Sequence, residues 1–502
     1  MSELVFLPAH QLAQRIRERT VSAIEVLEAY LAQIAKHNSE LNAICILNEG
    51  AARQHAQQAD AALVKGEYWG VLHGVPITIK DYFETAGLST LSGYQPFKDY
   101  VPQHDATAVA RVRAAGAIIL GKTTATADPG GDYQGINDRF PRVNNPWNLN
   151  YTPGGTSSGS AAAVAAGFSP LDICSDNGGS IRQPAHFCGV FGLKPTDRRV
   201  PTTGHVGDLP NVSGMPRCIR QMFTVGAIAR SVEDLRLALQ LIAGADPRQP
   251  DIPPVPLAQP VDNPLQNLRI AWIDELPSYP VAADIKSAMQ TVAKRLGSTD
   301  TNIERWSPEF DFVAAWQVYY AVGTYNLLYS QPINFTNVQK QMMFLWREAT
   351  QGERAWRKLS NVPSIALPLF LNPTLKGYFQ ALTERDSLIA QMDKELEQWD
   401  VWLCPVAMTP AFTHRAKGEA VEIEGRKVPY QMASGAYLVP FNLTGHPVVV
   451  VPIGNTQSGL PIGMQIVGKR WREMELLTIS QKLMEVVGQF QLPPGYSSSV
   501  YP

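Results

Sequence analysis

Hydrophobic residues near the N-terminus recur at the spacing of one helical face. They recur at helical spacing between residues 26 and 34, which predicts an amphipathic helix. Ser22 and Glu25 precede this face with the spacing of a capping box, so we expect the helix to begin there. The repeating apolar positions are Val26, Leu27, Tyr30, Leu31 and Ile34.

Farther along the chain, short unbroken apolar runs alternate with segments of helical spacing. The runs GVPITIKD (74–81) and AIILGK (117–122) predict strands, and residues 106–115 between them predict a helix. This alternation continues to about residue 240 and favours a mixed or parallel sheet with helices on its faces. Strand runs return at VVVVPI (448–453) and IGMQIVG (462–468).

The middle of the chain interrupts this pattern. A proline-rich stretch from residue 245 is followed by a strand run, LRIAWID, and then by mostly helical, aromatic-rich sequence up to residue 400. The predicted fold class is therefore α/β: one core with a central mixed β-sheet covered by helices on both faces, plus an inserted helical excursion. We expect three parts, namely residues 1–244 and 401–502 of the core and the excursion at 245–400.

The aromatic residues of the excursion have two interpretations. They pack its helices together, which is the favoured interpretation, or they line a pocket for an apolar acyl chain. They are Trp316, Tyr319, Tyr320, Tyr325, Tyr329, Phe344, Trp346 and Trp356.

Composition and charge remove several classes of partner. The chain has 502 residues, is 45% hydrophobic and carries a net charge of −2, which gives no electrostatic reason to expect nucleic acid or an anionic membrane. It contains no apolar run of about 18 residues and no N-terminal signal pattern. Five scattered cysteines lack metal-ligand spacing, so we expect reduced thiols, a cytoplasmic location and no metal. They are Cys45, Cys174, Cys188, Cys218 and Cys404.

Two formal motifs lack the context that their chemistry requires. Residues 116–123 fit the phosphate-binding loop pattern, but the residues between the glycines are Ala, Ile, Ile and Leu, which favour a buried strand. Residues 155–159 fit a nucleophile elbow centred on Ser157, but no strand precedes them and no histidine stands in a suggestive setting. A Ser–His–Asp esterase is therefore a minor alternative.

A glycine pair before a serine points to a possible oxyanion site. Gly178 and Gly179 precede Ser180, and glycines let backbone N–H groups converge without obstruction by side chains. The N–H groups of Asn177, Gly178, Gly179 and Ser180 are the candidate donors to the oxyanion of a tetrahedral intermediate. The alternative is a plain turn, because Asn-Gly is a strong turn signal.

An isolated lysine ends one of the predicted strands. Lys80 shares a strand face with Thr78, opposite Ile77 and Ile79, and its burial would lower its pKa toward that of a general base. The alternative is a lysine at the end of a strand that pairs with Asp81. A segment dense in hydroxyls, 154–160, also precedes an alanine-rich helix, and it supplies either helix caps or a proton-relaying hydroxyl.

Taken together, these segments resemble the amidase signature family. The resemblance covers most of the chain except roughly residues 245–400, which vary among members, and the joint match is far more specific than any single motif. The matching segments are GVPITIKD (74–81), GAIILGKTT (116–124), RVNNPWNLNYTPGGTSSGSAAAVAAG (142–167), DNGGSIRQPA (176–185), FCGVFGLKPT (187–196), NLTGHPVVVVPIG (442–454) and GLPIGMQIVG (459–468).

The resemblance implies a Ser–Ser–Lys triad in which Ser180 attacks the amide carbonyl and Lys80 accepts the proton through a bridging hydroxyl. In the family the bridge is usually a serine after a cis peptide bond, but here that position is Thr156. We expect Thr156 to relay the proton; alternatively Ser157 or Ser158 has taken over, or turnover is impaired.

The resemblance also implies supporting roles around this triad. Asp176 and Arg182 resemble an ion pair that braces the nucleophile loop, and Asp81 is expected to orient the end of the Lys80 strand. Asn177 replaces the usual aliphatic residue or threonine, and it either contacts substrate or caps the turn. Ser157 is assigned to substrate binding beside the oxyanion donors.

The predicted function is therefore hydrolysis of a carbon–nitrogen bond in a small-molecule amide, without a metal or organic cofactor. The alternatives are the glutaminase-type subunit of a transfer-RNA amidotransferase, which would need a companion chain, and a non-catalytic binding protein on the same scaffold. A homodimer is the default expectation for the oligomeric state.

Overall fold

We describe a computed structural model of the chain. It describes residues 4–92, 97, 99–126, 132–205, 217, 220–259, 262–276, 279–330, 374–488 and 490–496. The side chains of residues 327–330 and the predicted aromatic residues Phe344, Trp346 and Trp356 lie outside the described part, as does Cys218.

The described residues form thirteen strands and thirteen α-helices, which alternate through most of the chain. The strands are β1 (Ile44–Leu47), β2 (Pro76–Lys80), β3 (Ile118–Thr123), β4 (Leu171–Asp176), β5 (Phe191–Lys194), β6 (Thr224–Ala229), β7 (Arg269–Trp272), β8 (Asn302–Arg305), β9 (Val401–Pro405), β10 (Val421–Ile423), β11 (Arg426–Val428), β12 (Val448–Asn455) and β13 (Pro461–Val467). The helices are α1 (Ala9–Arg17), α2 (Ala23–Leu41), α3 (Glu49–Val64), α4 (Thr107–Ala114), α5 (Ser158–Ala165), α6 (Arg182–Cys188), α7 (Val232–Ile242), α8 (Ala283–Gly297), α9 (Phe312–Ser330), α10 (Leu375–Glu397), α11 (Tyr430–Gly435), α12 (Val439–Leu443) and α13 (Glu473–Val487).

Within the described residues, eleven of these strands form one mixed sheet. Their order is β1-β3-β2-β4-β6-β5-β12-β13-β9-β7-β8, and β10 with β11 forms a separate hairpin. Strands β3, β2 and β4 run parallel to one another, whereas β6, β5, β12 and β13 alternate in direction. The predicted central mixed sheet with flanking helices is confirmed.

The clearest sequence patterns correspond to well-defined elements. Ser22 accepts the Glu25 amide and Glu25 caps the Ser22 amide in return, so helix α2 begins with the predicted capping box. Its apolar stripe is buried, as expected for a helix packed on the sheet. The formal phosphate-loop segment is strand β3, so its glycines do not form a loop that could bind phosphate.

The middle of the chain is less separate from the core than its helical character suggests. Its helices α8, α9 and α10 agree with the prediction, but β7 and β8 extend the central sheet, because β7 pairs in parallel with β9 of the C-terminal part. Trp316, Tyr320 and Tyr325 are buried, which agrees with the favoured interpretation that they pack the helices. The boundaries at 245 and 400 remain a prediction.

The fold brings the predicted site residues to one edge of the sheet. Strands β2 and β4 lie side by side and parallel, with Thr78 opposite Asp172, so their carboxyl ends meet at Lys80 and Asp176. Ligands of open α/β sheets bind at such carboxyl ends. No helix among the described residues is long and apolar enough to cross a membrane.

Candidate active site

Lys80 lies at the end of β2 with its ammonium group enclosed by hydroxyls. The residue is fully buried, and Nζ is 2.7 Å from Thr156 Oγ1, 2.9 Å from Ser157 Oγ and 3.3 Å from Ser175 Oγ. Burial lowers the pKa of Lys80 from its ordinary 10.5 to about 8, against the opposing effect of nearby acidic groups. A substantial neutral fraction near neutral pH suits a general base.

Asp81 does not pair with Lys80, which corrects the alternative interpretation of this strand end. Its carboxylate lies 3.6 Å from Nζ of Lys122 on the neighbouring strand and accepts the amide of Leu91 at 3.1 Å. Asp81 follows the last residue of β2, and these contacts tie the loop after the strand to Lys122 and Leu91. Lys80 is left to the hydroxyl cluster.

The segment before α5 delivers two of these hydroxyls. The peptide bond between Gly155 and Thr156 is cis, and the Thr156 carbonyl accepts the Thr126 amide at 3.1 Å. Gln183 Oε1 accepts the Gly155 amide at 3.3 Å, which ties this segment to the start of α6. Thr156 thus occupies the position predicted for the bridging hydroxyl.

Ser157 stands beside Lys80, although its predicted role was substrate binding. Its hydroxyl is fully buried and contacts Lys80 Nζ and the Ser175 carbonyl, the latter at 3.4 Å. Among the described residues no histidine hydrogen-bonds to it, and no strand leads into the segment. The esterase alternative therefore lacks, among the described residues, both the strand of a nucleophile elbow and a histidine base.

A buried ion pair holds the nucleophile loop after β4. Arg182 bonds both carboxylate oxygens of Asp176, with Nη2 at 3.0 Å from Oδ1 and Nε at 3.1 Å from Oδ2, and Asn442 Nδ2 lies 2.9 Å from Oδ1. Burial alone would raise the pKa of Asp176, but the charge of Arg182 and these hydrogen bonds outweigh it and lower the pKa. The predicted bracing pair is thus present as a buried, multiply bonded unit.

The same carboxylate uses one of the four amides predicted as oxyanion donors. The Gly179 N–H donates to Asp176 Oδ1 at 2.8 Å, so it is turned away from a substrate. Among the described residues none accepts the N–H of Asn177, Gly178 or Ser180, which leaves these three as candidates. Gly179 has φ +113°, and a Cβ there would lie 2.3 Å from Leu438 Cδ1.

Ser180 is partly exposed and lies next to the hydroxyl cluster. Its carbonyl accepts the Ser157 amide at 3.2 Å, which connects the glycine-rich turn directly to the segment that carries Thr156. Lys80, Thr156, Ser157 and Ser180 are therefore brought together from three separate stretches of chain. The Thr156 hydroxyl is bonded to the buried amine of Lys80, and the turn that carries Ser180 is joined to the same segment through its backbone.

Several residues at the site were not identified from the sequence. Ser175 contacts Lys80, and its hydroxyl also lies 3.1 Å from His205 Nε2. Tyr319 of α9 donates to the Asn177 carbonyl at 3.1 Å, and Tyr133 donates to the Gly178 carbonyl at 3.4 Å. Of these residues, only Ser175 has a sequence signal that could have identified it, because it stands two residues before Asn177 and strand alternation puts such positions on one face. The others reach the site only through tertiary contacts.

The described residues offer no metal site, since no group of three His, Cys, Asp or Glu side chains among them converges. The four described cysteines are free thiols, and three of them, Cys174, Cys188 and Cys404, are buried.

Comparison with known proteins agrees on one family across the chain. A family model described as Amidase matches residues 25–477. Two proteins named as the A subunit of glutamyl-tRNA(Gln) amidotransferase are each 31% identical: one from Anaeromyxobacter sp. (strain K) over 98% of both chains, and one from Psychrobacter sp. (strain PRwf-1) over 95% of both. The solved structure of 6-aminohexanoate cyclic dimer hydrolase complexed with substrate has a TM-score of 0.76 and 26% identity, covering 98% of this chain and 99% of that one.

Proposed function

The chain belongs to the amidase family, and from this premise we propose that Ser180 is the nucleophile and Lys80 the base of its reaction. The enzyme hydrolyses a carbon–nitrogen bond, and the proposal concerns which groups do so. The observation that carries it is the 2.7 Å contact between the buried Lys80 Nζ and Thr156 Oγ1, next to the turn of Ser180.

The proposed first half-reaction is acylation. Ser180 Oγ attacks the amide carbonyl as its proton passes to Thr156, whose own proton passes to neutral Lys80. The negative charge of the tetrahedral intermediate is stabilised by the amides of the glycine-rich turn, of which those of Asn177, Gly178 and Ser180 have no acceptor among the described residues. The C–N bond then breaks, and the leaving amine takes a proton from Thr156, which Lys80 replenishes.

The second half-reaction uses the same groups in the same order. Water attacks the Ser180 ester and loses its proton through Thr156 to Lys80. Collapse of the second intermediate releases the carboxylic acid and returns the proton to Ser180. No step of this reaction requires a metal ion or an organic cofactor. The proton relay supplies general acid–base catalysis, and the oxyanion donors supply electrostatic stabilisation.

A second candidate is the amide-hydrolysing component of a transfer-RNA amidotransferase. Relatives that carry the name of such a component match nearly the full length of this chain at 31% identity. This function predicts glutaminase activity that rises when a companion chain is present. We favour a free-standing amidase because Thr156 and Asn177 depart from the family's usual pattern, and we propose a small-molecule amide as substrate.

Cellular location and oligomeric state complete the proposal. Free, mostly buried thiols support a cytoplasmic enzyme, since oxidising compartments favour disulfides. A homodimer is the expected assembly. Light scattering after size exclusion measures it directly, and a monomer that gains mass only with a co-expressed chain would favour the amidotransferase component instead.

The mechanism is tested by a fluorophosphonate, which reacts only with an activated serine. Peptide mass mapping should find the adduct on Ser180. Labelling should be lost in Lys80→Ala, and a measurable melting temperature of that variant should show that it is still folded. Ser158→Ala serves as the matched serine control. An adduct on Ser157 would support the esterase. No adduct on any serine would contradict the proposed nucleophile.

Substrate class is tested separately with a panel. Linear and cyclic aliphatic amides, anilides and free glutamine should be compared with the Ser180→Ala variant as the blank. Turnover of glutamine alone, stimulated by a companion chain, would move the assignment to the amidotransferase component. Turnover of another amide without any partner supports the free-standing amidase.

A further inference from the structure

A buried histidine is connected to Lys80 through the hydroxyl of Ser175. His205 is 4% exposed, and its Nε2 lies 3.1 Å from Ser175 Oγ, which in turn lies 3.3 Å from Lys80 Nζ. The rings of Tyr82, Phe83 and Phe223 surround the imidazole at centroid distances of 5.3, 4.9 and 4.6 Å. The histidine is thus held in one orientation and connected to Lys80 through a single hydroxyl.

The hydrogen inventory at Lys80 restricts how this network can be arranged. A neutral amine has two N–H donors and one lone pair, and Nζ faces three hydroxyls, on Thr156, Ser157 and Ser175. If Lys80 is to take the proton of Thr156, its lone pair must face Thr156. Its two N–H groups then face Ser157 and Ser175, the other two hydroxyls within hydrogen-bond distance.

Each of these two serines can accept from Lys80 only if its own hydroxyl hydrogen is directed elsewhere. Ser157 Oγ donates to the Ser175 carbonyl at 3.4 Å. Ser175 Oγ has His205 Nε2 at 3.1 Å, and a neutral imidazole with its proton on Nδ1 accepts at Nε2. With both hydrogens so directed, both serine oxygens accept from Lys80, and of its three hydroxyl partners Thr156 is the one left to face the lone pair.

We propose that His205 is a positioning residue that accepts the Ser175 hydroxyl hydrogen and thereby aims the lone pair of Lys80 at Thr156. The inference rests on the proposed function, because it assumes that Lys80 is the base. His205 exchanges no proton with the substrate. It selects one of two hydrogen-bond directions in the chain Lys80–Ser175–His205, and that direction decides whether Lys80 can accept from Thr156.

The test compares variants that keep the packing and change the acceptor. His205→Phe preserves an aromatic ring among Tyr82, Phe83 and Phe223 but removes Nε2, and His205→Gln offers an amide oxygen in its place. The rate of fluorophosphonate labelling at Ser180 should fall at least about tenfold in His205→Phe, since misdirected general-base catalysis loses part of a term of about 10²–10⁴. His205→Gln should recover most of the rate.

A double-mutant cycle separates positioning from general destabilisation. Ser175→Ala removes the hydroxyl through which His205 acts, so adding His205→Phe to it should slow labelling no further. His73→Phe is the matched control, because His73 is also fully buried beside aromatic rings, 5.4 Å from Tyr68 and 5.0 Å from Trp69. It should lower the melting temperature without slowing labelling.

The outcomes distinguish this inference from the proposed function. If Lys80→Ala abolishes labelling but His205→Phe leaves the rate unchanged, the inference is overturned and the base assignment stands. Equal slowing in His205→Phe and His205→Gln, or additive effects with Ser175→Ala, would also overturn it. If labelling survives Lys80→Ala, the proposed function itself fails, and the inference fails with it.

Discussion

At the scale of single residues, the chemistry depends on a lysine that is costly to keep charged. Lys80 is fully buried, and its cationic form is stabilised by hydroxyls, by the face of the Tyr82 ring 4.6 Å from Nζ, and by carboxylates that do not contact it directly. Folding therefore favours the neutral amine, and the unfolded chain binds the proton more readily between about pH 8 and the ordinary pKa of 10.5. The same burial that reduces stability at neutral pH makes Lys80 a usable base.

This pKa predicts the pH dependence of Ser180 labelling. Because the neutral form of Lys80 is required, the rate should rise with pH and level off above about pH 8. The rate constant of fluorophosphonate labelling, measured from about pH 6 to about pH 10, gives the profile. The reaction of the probe with hydroxide is measured with the Ser180→Ala variant and subtracted. A profile that is flat across this range would contradict Lys80 as the base.

Thr156 provides a second prediction at this scale. Thr156→Ser keeps the hydroxyl and should retain the wild-type rate within a few-fold, whereas Thr156→Ala should lose about 10²–10⁴ in kcat. The reason is that Thr156 Oγ1 is the hydroxyl closest to Lys80, at 2.7 Å. Ser157→Ala is the comparison, and we expect a smaller loss because Ser157 only accepts from Lys80. The opposite ranking would assign the relay to Ser157.

At the scale of elements, strand ends and helix starts hold the nucleophile turn by its backbone. Asp176 at the end of β4 accepts the amides of Gly179 and Ile181, while Arg182 at the start of α6 reaches back to it. The turn cannot relax without breaking this buried pair. The precision of the site therefore rests on an ion pair that touches no substrate.

Breaking that pair should unfold the protein more readily. Arg182→Leu leaves Asp176 charged, buried and partly unpaired, and we expect a loss of about 3–5 kcal/mol in the free energy of unfolding. Chemical denaturation measures it. Arg53→Ala, which removes an exposed ion pair with Glu28, is the control and should leave the unfolding midpoint nearly unchanged. A similar small effect at Arg182 would contradict the bracing role.

Helix α9 reaches the same turn from the other side. Tyr319 donates to the Asn177 carbonyl, which belongs to the same planar peptide unit as the Gly178 N–H and points the opposite way. Burial raises the pKa of Tyr319, so its hydroxyl remains a donor. The hydroxyl thus aims the Gly178 N–H and polarises its peptide group.

Removing that hydroxyl should lower kcat and leave KM nearly unchanged, because the oxyanion forms only in the transition state. We expect Tyr319→Phe to lose about tenfold, less than the deletion of an oxyanion donor itself. Steady-state kinetics on the best amide of the panel provide the measurement. Tyr378→Phe, which removes a hydroxyl bonded to Asn326 and Gln221 instead, is the matched control. A change in KM alone would assign Tyr319 to substrate binding.

How far each of these parts could be predicted from the sequence depends on whether the interactions that form it are local or connect distant residues. Helix α2 and strand β2 were predictable because their apolar periods and caps are local, and Lys80 and Ser180 because their motifs are contiguous. The Gly179 N–H was predicted as an oxyanion donor, but it donates to Asp176 instead, a contact that depends on the fold of the turn. The roles of Asp81 and Ser157 stay predictions. His205 and Tyr319 lie 30 and 142 residues from their partners Ser175 and Asn177, so no sequence pattern connects them.

At the scale of the whole molecule, the N-terminal and C-terminal parts of the chain contribute strands to one sheet. Strand β5 of the N-terminal part pairs with β12 of the C-terminal part in the middle of the sheet. Arg182 also donates to the Leu438 carbonyl and to Gln465 Oε1, both from beyond residue 400. The N-terminal motifs therefore depend on the C-terminal residues for a sheet neighbour and for the partners of a buried charge.

This dependence predicts how fragments behave. Residues 1–244 contain Lys80, Thr156 and Ser180, yet alone they leave the edge of β5 unpaired and Arg182 without three of its acceptors. Exposed strand edges pair with other chains, so we expect this fragment to aggregate and to show neither a cooperative melt nor labelling at Ser180. Co-expression with residues 245–502 should restore both, because the missing strands and acceptors return. A fragment 1–244 that melts cooperatively on its own would show instead that the N-terminal part is an independent domain, and the shared sheet would then be an interface between two units.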